Sequence, residues 1–313
     1  MRLRAMLAVC FLAPCAAAPA PAQTIDDLCA RGMQTIPPGA DVAAETIVYG
    51  GTDRHFCTFT PSAFVAGTPH PLLVVLHGGD GNASLLMRDP VGMLAAAEAM
   101  GAIAIFPNGL PRDRCRDPLC LNNSWGDPAN VFFVAELIGR QKALGQVDED
   151  RVHLVGFSGG AKLIYEFVGT PGFPHAIHSV ATVAGAFGLY HADRPEEGFW
   201  VAPLMDGLPV SALLVQGGSD PRLPEVGGLD EMLLESHVSF RTKVDLWRLA
   251  TGTEQAAGQA LNAQDFDPAA PADIAAFRYA GADHTVVEVL DPGLDHDWPA
   301  WNVMAIAIEL FER

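Results

Sequence analysis

Basic residues are scarce in this sequence: 19 Lys and Arg stand against 37 Asp and Glu, a formal charge of −18 at pH 7. A surface so short of cations excludes nucleic acids and other polyanions, which need a basic face to bind. Glycine patterns of the GxGxxG or Walker type are missing, so no nucleotide cradle is expected. No CxxC pair occurs, and neither a metal nor a cofactor is expected. The N-terminal apolar stretch, Ala5 to Ala18, falls short of the ~20 residues that span a bilayer. Internal repeats and Pro/Ser/Thr-rich linkers are also lacking. The 313 residues, half of them hydrophobic, therefore read as one domain with a large core.

What is present begins with Met1 to Ala22. Arg2 and Arg4 precede the apolar stretch, and Ala20-Pro21-Ala22 ends it, a pattern suited to signal peptidase. The reading is a secretory signal, leaving residues 23–313 as a single catalytic domain that is secreted or periplasmic and free of the membrane. Cleavage removes both arginines and no acid, taking the formal charge from −18 to −20. Lipid attachment at Cys10 or Cys15 is the alternative, although Val9 and Pro14 before them suit it poorly. Four cysteines remain, Cys29, Cys57, Cys115 and Cys120, and an even number in an exported chain points to disulfides. Neighbours along the chain pair as Cys29 with Cys57 and Cys115 with Cys120, with connectivity open and a four-thiolate metal site as the rival.

Apolar runs and glycine-rich breaks alternate from there. Glu45 to Pro61 reads as two short antiparallel edge strands around Gly50-Gly51-Thr52. Pro71 to Leu76, PLLVVL, is a continuous apolar run suited to a central parallel strand, and it ends in His77-Gly78-Gly79-Asp80-Gly81-Asn82. A helix with a break at Asp89-Pro90 fits Ala83 to Met100, and Ala102 to Phe106 gives another strand. Leu110 to Asn130 is a long loop, Val131 to Leu144 an amphipathic helix, and Val147 to Asp150 a turn into the strand that starts at Arg151. Ala161 to Val168 is helical, Ser179 to Ala184 a strand, and Phe187 to Leu208 an insertion that fits either a cap or a surface excursion. Val210 to Val215, Ile274 to Tyr279 and Val286 to Leu290 are strands; Ser239 to Leu249 and Asn302 to Phe311 are helices. The alternation predicts an α/β fold, a mostly parallel sheet with helices on both faces.

Chemistry concentrates where those strands stop. Gly156-Phe157-Ser158-Gly159-Gly160 ends one strand and opens a helix, which sets Ser158 on a tight turn above the sheet. An activated serine needs a base, the base an orienting acid, and the oxyanion hydrogen-bond donors. Asp220 ends the strand Val210 to Val215 within Gly217-Gly218-Ser219-Asp220-Pro221, on the serine's edge, where α/β sheets carry their sites. An Asx turn is the structural reading of the same residue. His296 follows the strand TVVEVL and belongs on that edge too, whereas His284 precedes it and belongs on the opposite one. Asp295 and Asp297 flank His296 as weaker rivals for the orienting acid. The amides of Gly159 and Gly79 are the expected oxyanion donors, with His77 structural. Trp125, Phe187 and Trp200 are candidates for a substrate pocket, or for core.

PLLVVLHGGDGN, RVHLVGFSGGA, VQGGSDPRLPEVGG and GLDHDWPAW, taken together, resemble the secreted esterases that include poly(3-hydroxybutyrate) depolymerases and feruloyl or acetylxylan esterases. The similarity runs from Thr46 to Phe311. It implies an α/β-hydrolase fold, Ser158 as nucleophile, Asp220 as acid and His296 as base, the last within a G-x-x-H-x-W-P ending. Two departures bear on substrate. Leu294-Asp295 stands where the family often has Gly-Gly, and Ala129-Asn130 where it often has Asp-Asp. No polymer-binding domain is expected after the catalytic one. The expected activity is hydrolysis of carboxylic esters, with hydroxybutyrate oligomers ahead of feruloyl or acetyl esters of plant polysaccharide. A prolyl-oligopeptidase-like serine peptidase and a non-catalytic binding protein on the same scaffold are the rivals.

Overall fold

The computed structural model describes residues 29–30, 36–88, 92–111, 123–127, 129–169, 177–187, 190–191, 210–230 and 235–312. The expected signal segment, Cys115, Cys120 and Trp200 lie outside the described residues.

Among the described residues, ten strands form one sheet: β1 (Asp41–Tyr49), β2 (Thr52–Thr60), β3 (His70–Leu76), β4 (Ile103–Pro107), β5 (Val147–Phe157), β6 (Ser179–Val183), β7 (Ser211–Gly217), β8 (Gln259–Leu261), β9 (Ala275–Ala280) and β10 (Thr285–Asp291). Their spatial order is β1-β2-β4-β3-β5-β6-β7-β10-β9-β8. The six inner strands, from β4 to β10, pair in parallel. Both borders are antiparallel. One border matches the hairpin expected from Glu45 to Pro61. At the other, only Gly281 to His284 link β9 to β10, too few residues for the crossover that a parallel neighbour requires. A second departure is Val147 to Asp150, which forms the first part of β5 and not a turn, with Val147 paired to His70 ahead of a register shift.

Side chains on successive residues of β3 point to opposite faces, as a pleated strand demands. Leu73 and Val75 join one core with α1 (Ala83–Met87), α2 (Met93–Ala99) and α6 (Met304–Phe311). Leu72, Val74 and Leu76 join the other with α3 (Ala129–Ala143), α4 (Gly159–Val168) and α5 (Phe240–Ala250). Every one of these five strand residues is at most 1% exposed, which is why PLLVVL is apolar throughout rather than alternating. Asn82 caps α1, its side chain accepting from the Ser84 amide at 3.1 Å, and Ser239 caps α5 by accepting from the Thr242 amide at 3.1 Å. Cys29 and Cys57 form a disulfide that ties the N-terminal segment to β2.

The parallel arrangement brings the C-terminal ends of β3, β5, β7 and β10 to one edge. The loops that begin at His77, Ser158, Gly218 and Pro292 follow those four strands, so all four meet there.

Among the described residues, no helix is long and apolar enough to cross a membrane. No described cluster of three or more His, Cys, Asp or Glu side chains is arranged to hold a metal ion.

Candidate active site

Ser158 occupies the turn between β5 and α4 with φ 48° and ψ −112°, a conformation unfavourable for a residue with a Cβ by about 1–3 kcal/mol. Its amide bonds the Val183 carbonyl at 2.9 Å, and the glycines around it make the turn possible. A Cβ on Gly160 would stand 2.2 Å from the Leu76 carbonyl oxygen, and one on Gly156 would stand 2.7 Å from the backbone of Gly160 and Ala161. Backbone atoms cannot yield to such contacts. The pattern G-x-S-x-G is thus a packing requirement between β3, β5 and α4.

Ser158 Oγ lies 2.9 Å from His296 Nε2, and His296 Nδ1 lies 2.8 Å from Asp220 Oδ2. An ionised carboxylate only accepts, so Nδ1 carries the imidazole proton and Nε2 presents its lone pair to the serine hydroxyl. Asp220 is 3% exposed. Its Oδ1 accepts from the amides of Arg222 at 2.9 Å and Leu223 at 2.8 Å. Gln216 Nε2 approaches Oδ2 at 3.4 Å. Burial opposes ionisation of this carboxyl, but the His296 contact and the Leu223 and Arg222 amides outweigh it and hold Asp220 below the usual carboxylate range. The two flanking acids are engaged elsewhere. Asp295 Oδ1 accepts from the His296 amide at 2.6 Å and Asp297 Oδ1 from the Trp298 amide at 2.8 Å, so neither serves the ring nitrogen. His284 precedes β10, at the opposite edge of the sheet, where its carbonyl accepts from Gly281.

The loop that carries His296 is anchored by Asp291, a buried carboxylate at the end of β10. Asp291 Oδ2 accepts from Trp301 Nε1 at 3.0 Å and Oδ1 from the Gly293 amide at 3.1 Å. Its carbonyl takes the amides of Gly218 and Leu294. A Cβ on Gly217 would meet the Leu294 carbonyl at 2.3 Å, so a glycine there lets the acid loop and the base loop touch.

Gly79 and Gly159 come together as well: a Cβ on Gly159 would lie 3.1 Å from the Gly79 nitrogen. His77 explains how the Gly78–Gly79 peptide is aimed. Its Nε2 accepts from the Gly109 amide at 3.1 Å, which leaves the proton on Nδ1 to be donated to the Gly78 carbonyl at 2.6 Å. The Gly81 amide bonds the same carbonyl at 3.2 Å. In a trans peptide the C=O and N–H point in opposite directions, so the Gly79 N–H is turned away from His77 and Gly81. The N–H of Gly159 is one of the first-turn donors that a helix leaves without an internal acceptor.

Of the three aromatic residues considered for a pocket, Trp125 has a different task. Its ring packs on His77 at 4.7 Å between centroids, and its Nε1 donates to the His77 carbonyl at 2.6 Å. It buttresses the glycine loop from beside Gly159, with Cδ1 3.7 Å from the position of a Gly159 Cβ. Phe187, open between pocket and core, is 4% exposed and stands edge-on to Tyr165 in the core cluster that includes α4 and α5.

Three supporting residues escaped sequence reasoning, Gln216, Asp291 and Lys243, whereas His77 was read as structural without its partners. Gln216 is a polar residue at the buried end of an apolar strand, which was the available signal. Lys243 is 3% exposed, and burial brings its ammonium down to about 7, opposed by the charge of Asp220.

Two buried histidines make stability pH-dependent. Burial lowers His77 to about 4; burial, then His178 and Arg151, lowers His153 to about 3. Both are depressed below the unfolded value of about 6.5, so the unfolded chain binds these protons first and stability falls as pH drops from about 6.5 towards the folded values. Between pH 6.5 and 4.5 each contributes a loss on the order of 3 kcal/mol. Denaturant midpoints at pH 7 and pH 4.5 check this: the wild type is expected to lose stability, and His153→Gln to lose distinctly less. Equal losses in the two proteins would refute the assignment to His153.

No known protein-family profile matches the chain. A protein of Nocardia uniformis subsp. tsuyamanensis named "Putative esterase NocK" is 27% identical over 217 residues, which is 67% of this chain and 59% of that protein. The match thus spans under two thirds of the curated relative's own length. Among solved structures, acetyl xylan esterase from Aspergillus awamori aligns with a TM-score of 0.55 at 13% identity, over 86% of this chain and 99% of that one. An S-formylglutathione hydrolase from Agrobacterium tumefaciens aligns with a TM-score of 0.54 at 14% identity, over 88% and 94%. At these identities the likeness is one of fold: the chain has the α/β-hydrolase fold.

Proposed function

We propose that this α/β-hydrolase-fold protein, similar in sequence to an esterase, hydrolyses carboxylic esters through an acyl-enzyme on Ser158. The observation that carries the reading is the continuous hydrogen-bonded chain from Ser158 Oγ through His296 to Asp220. His296 Nε2 takes the hydroxyl proton as Ser158 Oγ forms its bond to the ester carbonyl carbon. The resulting oxyanion is met by the N–H groups of Gly79 and Gly159. Collapse of the tetrahedral species breaks the ester C–O bond, and imidazolium delivers its proton to the departing alcohol. Water, deprotonated by the same Nε2, then releases the acid and restores the serine. Asp220 holds the imidazole in the one tautomer that can begin this sequence.

For substrate, the four motifs favour oligomers of hydroxybutyrate. A second reading, acetyl or feruloyl esters of polysaccharide, draws support from the acetyl xylan esterase among the fold neighbours. Export is supported by the Cys29–Cys57 disulfide, since such bonds persist in oxidising compartments.

A fluorophosphonate probe is expected to label Ser158, mapped by peptide mass. An unlabelled, folded protein would overturn the hydrolase reading in favour of a binding scaffold. In a substrate panel, hydroxybutyrate oligomers are expected to react fastest. Faster turnover of methyl ferulate or acetylated xylan would move the substrate assignment, and faster turnover of aminoacyl anilides would make the protein a peptidase.

A further inference from the structure

Lys243 is a buried cation that the acyl-transfer sequence leaves without a task. Burying an ammonium is unfavourable unless its surroundings compensate it, so its partners indicate its role. They lie around the acid. From the first turns of α5, Lys243 Nζ donates to the Gly185 carbonyl at 3.1 Å and reaches Gln216 Oε1 at 3.5 Å. The other end of that amide is equally constrained: Gln216 Nε2 donates to the Leu223 carbonyl at 2.7 Å and faces Asp220 Oδ2 at 3.4 Å. A side-chain amide presents oxygen on one side and NH2 on the other, so a donor held against its oxygen keeps its NH2 turned to the carboxylate. A flip of the amide would set its oxygen against Oδ2 and the Leu223 carbonyl and its NH2 against Lys243, so Lys243 opposes the flip from the far end of the amide. Protonation changes the donors from two to three, and either form has enough for the two acceptors, the Gly185 carbonyl and Gln216 Oε1.

We propose that Lys243 is a positioning residue for the acid, orienting Gln216 so that its Nε2–H braces Asp220 against His296. The inference rests on the hydrolase reading and assigns that site a support from α5. Lys243 and Gln216 act in series, so either removal breaks the same relay.

The test compares wild type, Lys243→Met, Gln216→Leu and the double variant in p-nitrophenyl acetate hydrolysis. Each single change is expected to lower kcat roughly 10- to 100-fold, as misplacement of catalytic groups by about an ångström does, with KM within about twofold. The double variant is expected to be no slower than the slower single one, because one relay cannot be broken twice. The proposal is overturned if Lys243→Met, correctly folded by circular dichroism, keeps kcat within about twofold of wild type, or if the double loss equals the product of the singles. Should Lys243→Met not fold, Gln216→Leu decides by the same kcat criterion. A second readout needs no substrate. The downfield proton NMR signal of His296 Nδ1–H is expected to shift or broaden in each single variant, and an unchanged signal in both overturns the relay. A wild type that hydrolyses no ester would instead remove the functional reading, and the NMR comparison would still decide the relay.

Discussion

Replacement of Ser158 by alanine is expected to lower kcat on p-nitrophenyl acetate by about 10⁴- to 10⁶-fold, with KM changed by no more than about threefold. The hydroxyl removed is the proposed nucleophile, whose proton would pass to His296 Nε2, 2.9 Å away. Alanine keeps a Cβ in the same φ 48° conformation, so the backbone demand at the turn is unchanged and Gly79 and Gly159 stay where they are. What survives should be the weaker catalysis that oriented amides provide to attack by water. Because serine and histidine act as a unit, His296→Ala is expected to fall to a similar residual rate, and the double variant to match the single ones rather than multiply them. Initial rates at saturating ester, with circular dichroism as a folding control, are sufficient. Retention of more than about one hundredth of the wild-type kcat in Ser158→Ala would remove the serine from the chemistry.

Much of the fold was legible because buried parallel strands leave a strong trace. PLLVVL and VHLVGF must be apolar on both faces, and glycines must stand where the chain turns against a neighbouring backbone, as Gly160 does against Leu76. The borders were harder to read. Gln259–Leu261 is largely exposed and has no apolar pattern, so nothing in its composition separates it from a loop. The proposed serine, acid and histidine each stand in the loop that follows a strand's C-terminal end, and chain order with strand direction was enough to prefer His296 over His284. Supporting residues carry no such mark. Lys243 lies on a helix whose sequence gives no reason to bury a cation, and Asp291 looks like any strand-ending acid. Their partners, Gly185 and Gln216 for the first and Trp301 for the second, are set by tertiary approach. Trp125 was open between pocket and core for the same reason. An aromatic residue in a long loop suggests a pocket wall, whereas its hydrogen bond to the His77 carbonyl makes it a brace for the glycine loop.

Asp220→Asn tests the tautomer argument, and its expected effect is a fall in kcat of about 10⁴-fold with the fold intact. An asparagine can present oxygen at only one of the two carboxylate positions. At Oδ1 stand two backbone donors, the amides of Arg222 and Leu223, which cannot turn away. The side-chain oxygen must therefore occupy that position, and the NH2 group takes the place of Oδ2. There it meets His296 Nδ1, which bonds it only as an acceptor. The ring proton is forced onto Nε2, so the imidazole donates to Ser158 Oγ in place of accepting from it, and the base is lost with every heavy atom close to its original position. Raising the pH cannot restore activity, since the fault is the placement of a proton on a neutral ring. The flanking carboxylates are not expected to substitute, because Asp295 and Asp297 are engaged by the backbone amides of His296 and Trp298. Steady-state kinetics from pH 6 to 9 would read this directly. A variant that retained kcat within about tenfold of wild type would show that another group orients His296, and the assignment of Asp220 as the acid would fall.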